Sequence, residues 1–407
     1  MHLRHLFLSF LVALFFSACG GEEQQAIPPA SMTLVESIPV ETNLDSPDIP
    51  RTEDIWLEMI NSAKRTLDIA QFYIADSAGQ ALEPMIDAVI EAGARGVQVR
   101  ILAERKFEEI YPATLLRLRE TPGADVRIYD VSGISGGVHH AKYFIVDDRT
   151  VFVGSQNWDW RALTHINELG VRIRSMPVAA AFSQLFNFDW ELAGGANIGE
   201  AAVSVGIFTE AFPVIIEDSL GRHEITPVFS PHNMLPDGLI WDQEALQRLI
   251  RGAQDSISLA LLSYRTHAPL EAEVRAAAER GVQVHVLVSD WSLNPDQQQD
   301  LKALQETPNV TVRISSIPEH SSGFITFARV EHCKYLLVDT DRAWIGTGNW
   351  SRDSFLASRN AGIMLTSSAY VGILCDKFSR SWDGPYVSVM DPEKTYEPRR
   401  RDNGSGM

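Results

Sequence analysis

VHHAKYFIVDDRTVFVGSQNW, residues 138–158, returns later in the chain as VEHCKYLLVDTDRAWIGTGNW, residues 330–350. The two stretches keep one register throughout: 332 − 140 = 192, and the same offset carries Lys142 to Lys334 and Asp147 to Asp339. Downstream it carries Asn157 to Asn349, Gly170 to Gly362, Phe186 to Phe378 and Trp190 to Trp382, with no gap. Upstream, ARGVQVRIL (94–102) parallels ERGVQVHVL (279–287), and ETPGADVRI (120–128) parallels ETPNVTVRI (306–314). Earlier still, INSAKRTLDIAQFYI (60–74) parallels IRGAQDSISLALLSY (250–264). A chain of 407 residues is therefore one structural unit written twice.

Each copy reads as helices alternating with strands. Ile55, Met59 and Ala63 recur at helical spacing and lead into the apolar run 67–74, which suits a buried strand. Residues 81–93 are helical up to the stop at Ala92-Gly93, VQVRIL alternates as a strand does, and Pro122-Gly123 marks a turn. KYFIVD and VFVGS form a hairpin about Asp148-Arg149. The expected fold is α/β, with a mixed sheet flanked by helices in each repeat and the two repeats related by a pseudo-twofold axis. The expected halves are 51–215 and 216–390, joined by a Pro-, Gly- and Asn-rich linker within 215–240 and followed by a flexible tail, 391–407.

Both copies carry H-x-K-x4-D-x6-G-[ST]-x-N. Residues i and i+2 of a strand share a face, so His140 and Lys142 project together, as do His332 and Lys334. Packed about a dyad, two imidazoles and two ammonium groups would meet in one pocket. Such a pocket suits a phosphodiester: the lysines neutralise the non-bridging oxygens, Asn157 and Asn349 add amide donors, and no metal or other cofactor is needed. One histidine can attack phosphorus while the other protonates the leaving oxygen. Two lysines buried without an anion would be costly, which argues against a merely structural role. Ser155 and Thr347 can donate to a phosphate oxygen or cap a turn. Trp158 and Trp350, just after the motif corners and near Trp160 and Phe355, can contact substrate or pack the two halves. Arg161, Arg352 and Arg359 can guide a polyanion or be ordinary surface charges.

The doubled motif resembles the signature of the phospholipase D superfamily, and both copies are complete. The resemblance implies a covalent phosphohistidine intermediate, with His140 as nucleophile and His332 as general acid. It implies a bracing role for Asp147 and Asp339, and places Glu168 where the family has an acidic residue that orients a motif histidine. At the matching position, 168 + 192 = 360, the second copy has Asn360. The expectation drawn from this difference is that Glu168 acts on His140. The segment HAKYFIVDDRTVFVGSQNWDWRALTHINELGV, with PVFSP (227–231) and HCKYLLVD…GTGNWS, looks most like the lysosomal phospholipase-D-like 5′ exonucleases and their poxviral relatives. Cys333 and Asp339 depart from that group's pattern.

The remaining features bound the setting. A net charge of −18, from 53 acidic and 35 basic residues, means that a polyanion must be held by a local basic site. Arg4, the apolar run from Leu6 to Phe16 and then Ser17-Ala18-Cys19 read as a signal segment, 1–18, too short to span a bilayer. Small residues before Cys19 resemble a bacterial lipoprotein site, with plain secretion as the alternative. Residues 19–50 are then a tether, and the protein is exported and membrane-anchored through lipidated Cys19. Cys333 and Cys375 are read as unpaired thiols, with a disulfide as the alternative. One chain holds both motifs, so a monomer suffices. Three functions remain at this stage: a phosphodiesterase on single-stranded nucleic acid, a phospholipase D or transphosphatidylase on membrane lipid, and a non-catalytic phosphate-binding module.

Overall fold

The computed structural model describes residues 29–402; the signal segment and Cys19 lie outside them. The repeat seen in the sequence is a repeat of topology. In the first half six strands run side by side in the order Glu168–Arg174, Thr150–Gly154, Lys142–Val146, Thr66–Gln71, Gln98–Glu104, Ala124–Tyr129. In the second half the order is Asn360–Thr366, Arg342–Gly346, Tyr335–Val338, Ser256–Leu261, Gln283–Ser289, Val310–Ser315. The last three strands of each series are parallel and joined through helices, whereas the motif strands pair antiparallel with their neighbours. Both sheets are thus mixed, as the alternation of strand and helix predicts.

Strand alternation explains the layers. Leu67, Ile69, Phe144 and Phe152 face an outer core shared with the helices Thr52–Ser62 and Glu83–Ala94. Tyr143, Ile145, Val151 and Val153 face the opposite way, into a central core. That core also takes Tyr335, Leu337, Ala343 and Ile345 from the second sheet, and it is filled by the helices Met176–Ala193 and Ser368–Trp382. Burying aromatic and branched side chains from both sheets at about 25 cal/mol per Å2 of apolar surface makes the two halves one folding body. Two buried ion pairs cross the same interface: Arg359 donates to Asp189 at 2.9 Å, and Lys377 donates to Glu36 at 2.9 Å.

Three boundaries expected from composition are corrected. Part of the presumed tether is an edge strand, Ser31–Ser37, antiparallel to Glu168–Arg174, with Val35 and Glu36 fully buried. Its counterpart is the strand Gly221–Ser230, antiparallel to Asn360–Thr366. The presumed linker is therefore sheet, and with Val214–Asp218 it forms a hairpin. Both segments carry Pro, Gly or Glu beside the alternating residues, and those polar neighbours masked the strand period. The presumed tail is bonded to the second half as far as residue 401, since Phe327 N–H donates to the Arg401 carbonyl at 2.8 Å and Arg399 donates to Asp290 at 3.1 Å. Cys333 and Cys375 are unpaired thiols. None of the helices among the described residues is long and apolar enough to cross a membrane.

Candidate active site

Ala141, Tyr143 and Ile145 turn into the central core, which leaves His140 and Lys142 on the other side of their strand. The site is then assembled by a reciprocal exchange between halves. His140 N–H donates to the Arg359 carbonyl and Arg359 N–H to the Val138 carbonyl, both at 2.9 Å. The same pair of bonds recurs one offset away. His332 N–H donates to the Asn167 carbonyl at 2.9 Å, and Asn167 N–H to the Val330 carbonyl at 3.0 Å. Since 359 − 167 = 192 and 330 − 138 = 192, these contacts obey the pseudo-twofold axis. Each motif histidine therefore lies beside the residue that follows the other motif.

This exchange overturns one expectation. Glu168 contacts His332, not His140: both carboxylate oxygens lie 2.8 Å from His332 Nδ1. His140 Nδ1 instead lies 2.9 Å from Asn360 Oδ1. An orienting residue read along the sequence belongs to the histidine of its own repeat, whereas the dyad hands it to the other. The orientation of the Asn360 amide follows from its remaining partners. Its Nδ2 donates to the Ser354 carbonyl at 2.9 Å, and its Oδ1 accepts from Thr347 Oγ1 at 2.9 Å. His140 must accordingly carry its proton on Nδ1, which leaves the lone pair on Nε2.

The cations are parked where an anion can take them. Lys142 Nζ donates to the His140 carbonyl and Lys334 Nζ to the His332 carbonyl, each at 2.6 Å, and neither lysine is exposed. Burial, reinforced by the charge of Lys334, holds the Lys142 ammonium well below the usual lysine range. Burial lowers Lys334 to about 8, against the pull of Glu168. Burial and the two ammonium groups likewise depress both motif histidines. Burial pushes the Glu168 carboxyl up, while Lys334, Ser155 and Lys142 draw it down. A pocket so rich in suppressed positive charge gains stability when one phosphodiester anion enters.

The other predicted residues divide. Asn157 and Asn349 each bury an amide oxygen with no hydrogen-bond partner among the described residues, and it is their Nδ2 groups that could donate to a phosphate oxygen. Asp147 and Asp339 stand away from the chemistry: each carboxylate caps the strand that starts beside it. Asp147 accepts from the backbone of Lys64, Arg65 and Thr66, and Asp339 from that of Gln254, Asp255 and Ser256.

Ser155 and Thr347 both spend their hydroxyls on protein partners. Ser155 Oγ accepts from Leu169 N–H at 3.0 Å, and Thr347 Oγ1 accepts from Ala361 N–H at 3.1 Å, so both pin the strand that bears the orienting residue. Trp158 and Trp350 are fully buried in the two outer cores, so of the two roles open to them packing holds and direct substrate contact does not. Phe355 is buried with Trp350. Arg161 and Arg359 are buried ion-pair partners of Asp159 and Asp189 rather than surface guides. Arg352 stays exposed.

Sequence reasoning missed the aromatic surround of His140. The Phe72 ring meets the His140 imidazole edge-on with centroids 4.8 Å apart, and Lys142 Nζ lies 4.9 Å from the Phe72 centroid. The signal was present in the paired repeats, where Phe72-Tyr73 is answered by Leu262-Ser263. His139, adjacent in sequence, is no part of this: it is fully buried, and burial lowers its pKa to about 3, keeping it neutral.

Comparison with known proteins agrees with the doubled topology. The family model described as "Cardiolipin synthase, PLD-like domain" matches twice, over residues 56–190 and 246–382. Phospholipase D Z of Dictyostelium discoideum is 28% identical, with 93% of this chain and 97% of that protein covered. The 5′-3′ exonuclease PLD3 of Bos taurus is 30% identical, with 91% of this chain and 84% of that protein covered. Among solved structures, the phosphatidylserine synthase of Haemophilus influenzae superimposes with a TM-score of 0.60 at 12% identity, covering 83% of this chain and 85% of that one. With two matched repeats, both H-x-K motifs and their exchange across the dyad in place, the chain belongs to the phospholipase D superfamily and is a phosphodiesterase of that class.

Proposed function

We propose that the protein hydrolyses phosphodiester bonds of single-stranded nucleic acid through a covalent intermediate on His140. The observation that carries this reading is the unequal pairing of the two histidines. Asn360 is uncharged, so His140 rests neutral with its Nε2 lone pair free to attack phosphorus. Once a phosphodiester anion offsets the two ammonium groups that depress His332, Glu168 can hold a charge-compensated imidazolium, so His332 Nε2 carries the proton that the leaving oxygen requires. In the first step the His140 Nε2–P bond forms and the P–O bond to the leaving group breaks, that oxygen taking the His332 proton. In the second, His332 Nε2 takes a proton from water as the water oxygen attacks phosphorus and the N–P bond breaks. Lys142 and Lys334 neutralise the non-bridging oxygens throughout, and this charge supply supports a reaction that proceeds without a metal.

The choice of nucleic acid draws on relatives named 5′-3′ exonucleases and on the aromatic surround of His140. A second reading, headgroup transfer on phospholipid, is favoured by the relatives named phospholipase D. The signal-like segment 1–18 and Cys19 support either activity outside the cytoplasm, on a lipid anchor or, if the segment is a plain secretory signal, without one. Product analysis separates the two. Residues 31–407 are given a 5′-hydroxyl oligonucleotide, or phosphatidylglycerol vesicles, with EDTA present. Release of 3′-mononucleotides that is lost in His140→Ala is the expected result. Headgroup release alone overturns the nucleic-acid reading, and nucleotide release that stops on adding EDTA overturns the metal-free mechanism.

A further inference from the structure

The active site has two unlike walls. Beside His140, Phe72 touches Phe107 with ring centroids 4.6 Å apart, and Phe107 lies nearly parallel to Tyr111, 11° between planes and 6.1 Å between centroids. Tyr73 closes the group against Tyr111 at 5.4 Å. All four rings are half-buried, so each keeps part of its surface open. The wall is held from behind by a buried ion pair. Arg161 donates to Asp159 at 2.9 Å and to the Tyr111 hydroxyl at 3.2 Å, while the Tyr73 hydroxyl donates to Asp159 at 3.0 Å.

The pseudo-twofold axis supplies an internal control. The partners of Phe72, Tyr73 and Phe107 are Leu262, Ser263 and Ser292, and those of Asp159 and Arg161 are Ser351 and Asp353. Neither the rings nor their brace is repeated beside His332. Folding of a repeat does not require them, since the second copy folds with a leucine, three serines and an aspartate in their place. What distinguishes the two walls is the histidine each one borders.

We infer that Phe107 and Tyr111, continuing outward from Phe72, form a stacking platform for the base of the nucleoside that stays on the phosphoryl group when it is transferred to His140. The inference rests on the nucleic-acid reading and adds the subsite. An acyl chain would be served by any apolar surface, including Leu262 on the other wall; tyrosines fixed by a buried arginine instead offer flat faces at set angles. Fixed rings lose little conformational freedom on binding, and every base has a face to stack, so the site takes single strands with little regard to sequence.

The test compares thymidine 3′-(4-nitrophenyl phosphate) with methyl 4-nitrophenyl phosphate, reading nitrophenolate release. Phe107→Leu and Tyr111→Leu keep apolar bulk and remove the flat face. Each is expected to lower the preference for the base-bearing diester about tenfold, through KM rather than kcat. Phe107→Trp, which leaves a face, should hold or increase that preference and serves if a leucine variant fails to fold. An unchanged preference in both leucine variants, or its loss in Phe107→Trp, overturns the platform. A wild-type protein that cleaves neither diester but releases headgroup from phosphatidylglycerol vesicles overturns the nucleic-acid reading instead.

Discussion

Glu168 and His332 stand in opposite halves of the chain, yet the carboxylate of one sits 2.8 Å from Nδ1 of the other. The contact exists only in the folded, dyad-related arrangement, so neither repeat alone contains a complete acid–base pair. Removing its charge while keeping its shape should be severe. Glu168→Gln is expected to lower kcat by about 10^2 to 10^4-fold, the range set by neutralising an orienting carboxylate. Asn360→Ala, which loses a neutral hydrogen bond, should cost much less. Steady-state kinetics of the two variants, with thermal melts to show that both are folded, decide this; equal losses would contradict the assignment.

Adding a charge on the other side gives the reciprocal result. In Asn360→Asp a carboxylate would face His140 Nδ1 and raise the basicity of that ring. His140 must be neutral to attack, so activity is lost as pH falls through its pKa. A raised pKa shifts that loss to higher pH, by about one unit or more. A pH–rate profile whose acid limb stays in place in Asn360→Asp would remove His140 from the nucleophile's role.

Most of this architecture is legible in the amino-acid sequence. The constant offset of 192 supplied two halves and four of the site residues, because the motif strand dictates both fold and chemistry at once. The partnership of Glu168 was not legible. A linear sequence shows which residue follows a motif, whereas the exchange is made by Asn167 and Arg359 bonding across to the other repeat. The sequence leaves Trp158 and Trp350 open between substrate contact and packing because position after a motif corner does not say which way an indole points, and both are core. The edge strand Ser31–Ser37 was missed because an edge strand shows its period only against the strand it joins, here Glu168–Arg174.

Phosphate affinity should fall on the alkaline side. Lys334 has a pKa of about 8 in the ligand-free site, and a bound anion favours its charged form. Binding therefore needs a proton that the free protein gives up as pH rises through 8. Inhibition by inorganic phosphate should weaken progressively above that point. Lys334→Arg, which stays charged, should flatten the dependence even if turnover suffers. Inhibition constants independent of pH between about 7 and 9.5 would place the anion elsewhere.

The motif aspartates should report on stability, not chemistry. Asp147 and Asp339 both sit at positive φ, 53° and 55°, and each holds three consecutive backbone N–H groups. Alanine loses those acceptors and tolerates the left-handed backbone poorly, so either substitution should cost about 2–4 kcal/mol with kcat nearly intact. The backbone donors around Asp339, with Arg342 nearby, depress its carboxyl despite partial burial. A depressed carboxyl stabilises the fold fully above its unfolded pKa of about 3.9 and loses that contribution as pH falls through the lower folded value. Denaturation midpoints measured from pH 6 to pH 2 should converge for wild type and Asp339→Ala at the acid end.

The pair Arg359–Asp189 links stability to the site. Both side chains are fully buried; the guanidinium also donates to the carbonyls of Ser230 and Met234, and Tyr129 donates to the same carboxylate at 3.0 Å. Asp189→Ala leaves a buried guanidinium without its counter-charge and a buried hydroxyl without its acceptor, at an expected cost of about 3–5 kcal/mol. The loss should also reach catalysis, since the Arg359 carbonyl positions His140 through its backbone N–H at 2.9 Å. Replacing both partners with apolar residues, Asp189→Leu with Arg359→Met, removes the stranded charge and should recover much of the stability. A double-mutant cycle in urea, read beside kcat, separates the two effects: melting recovered without turnover would show that the ion pair serves the site beyond holding the halves together.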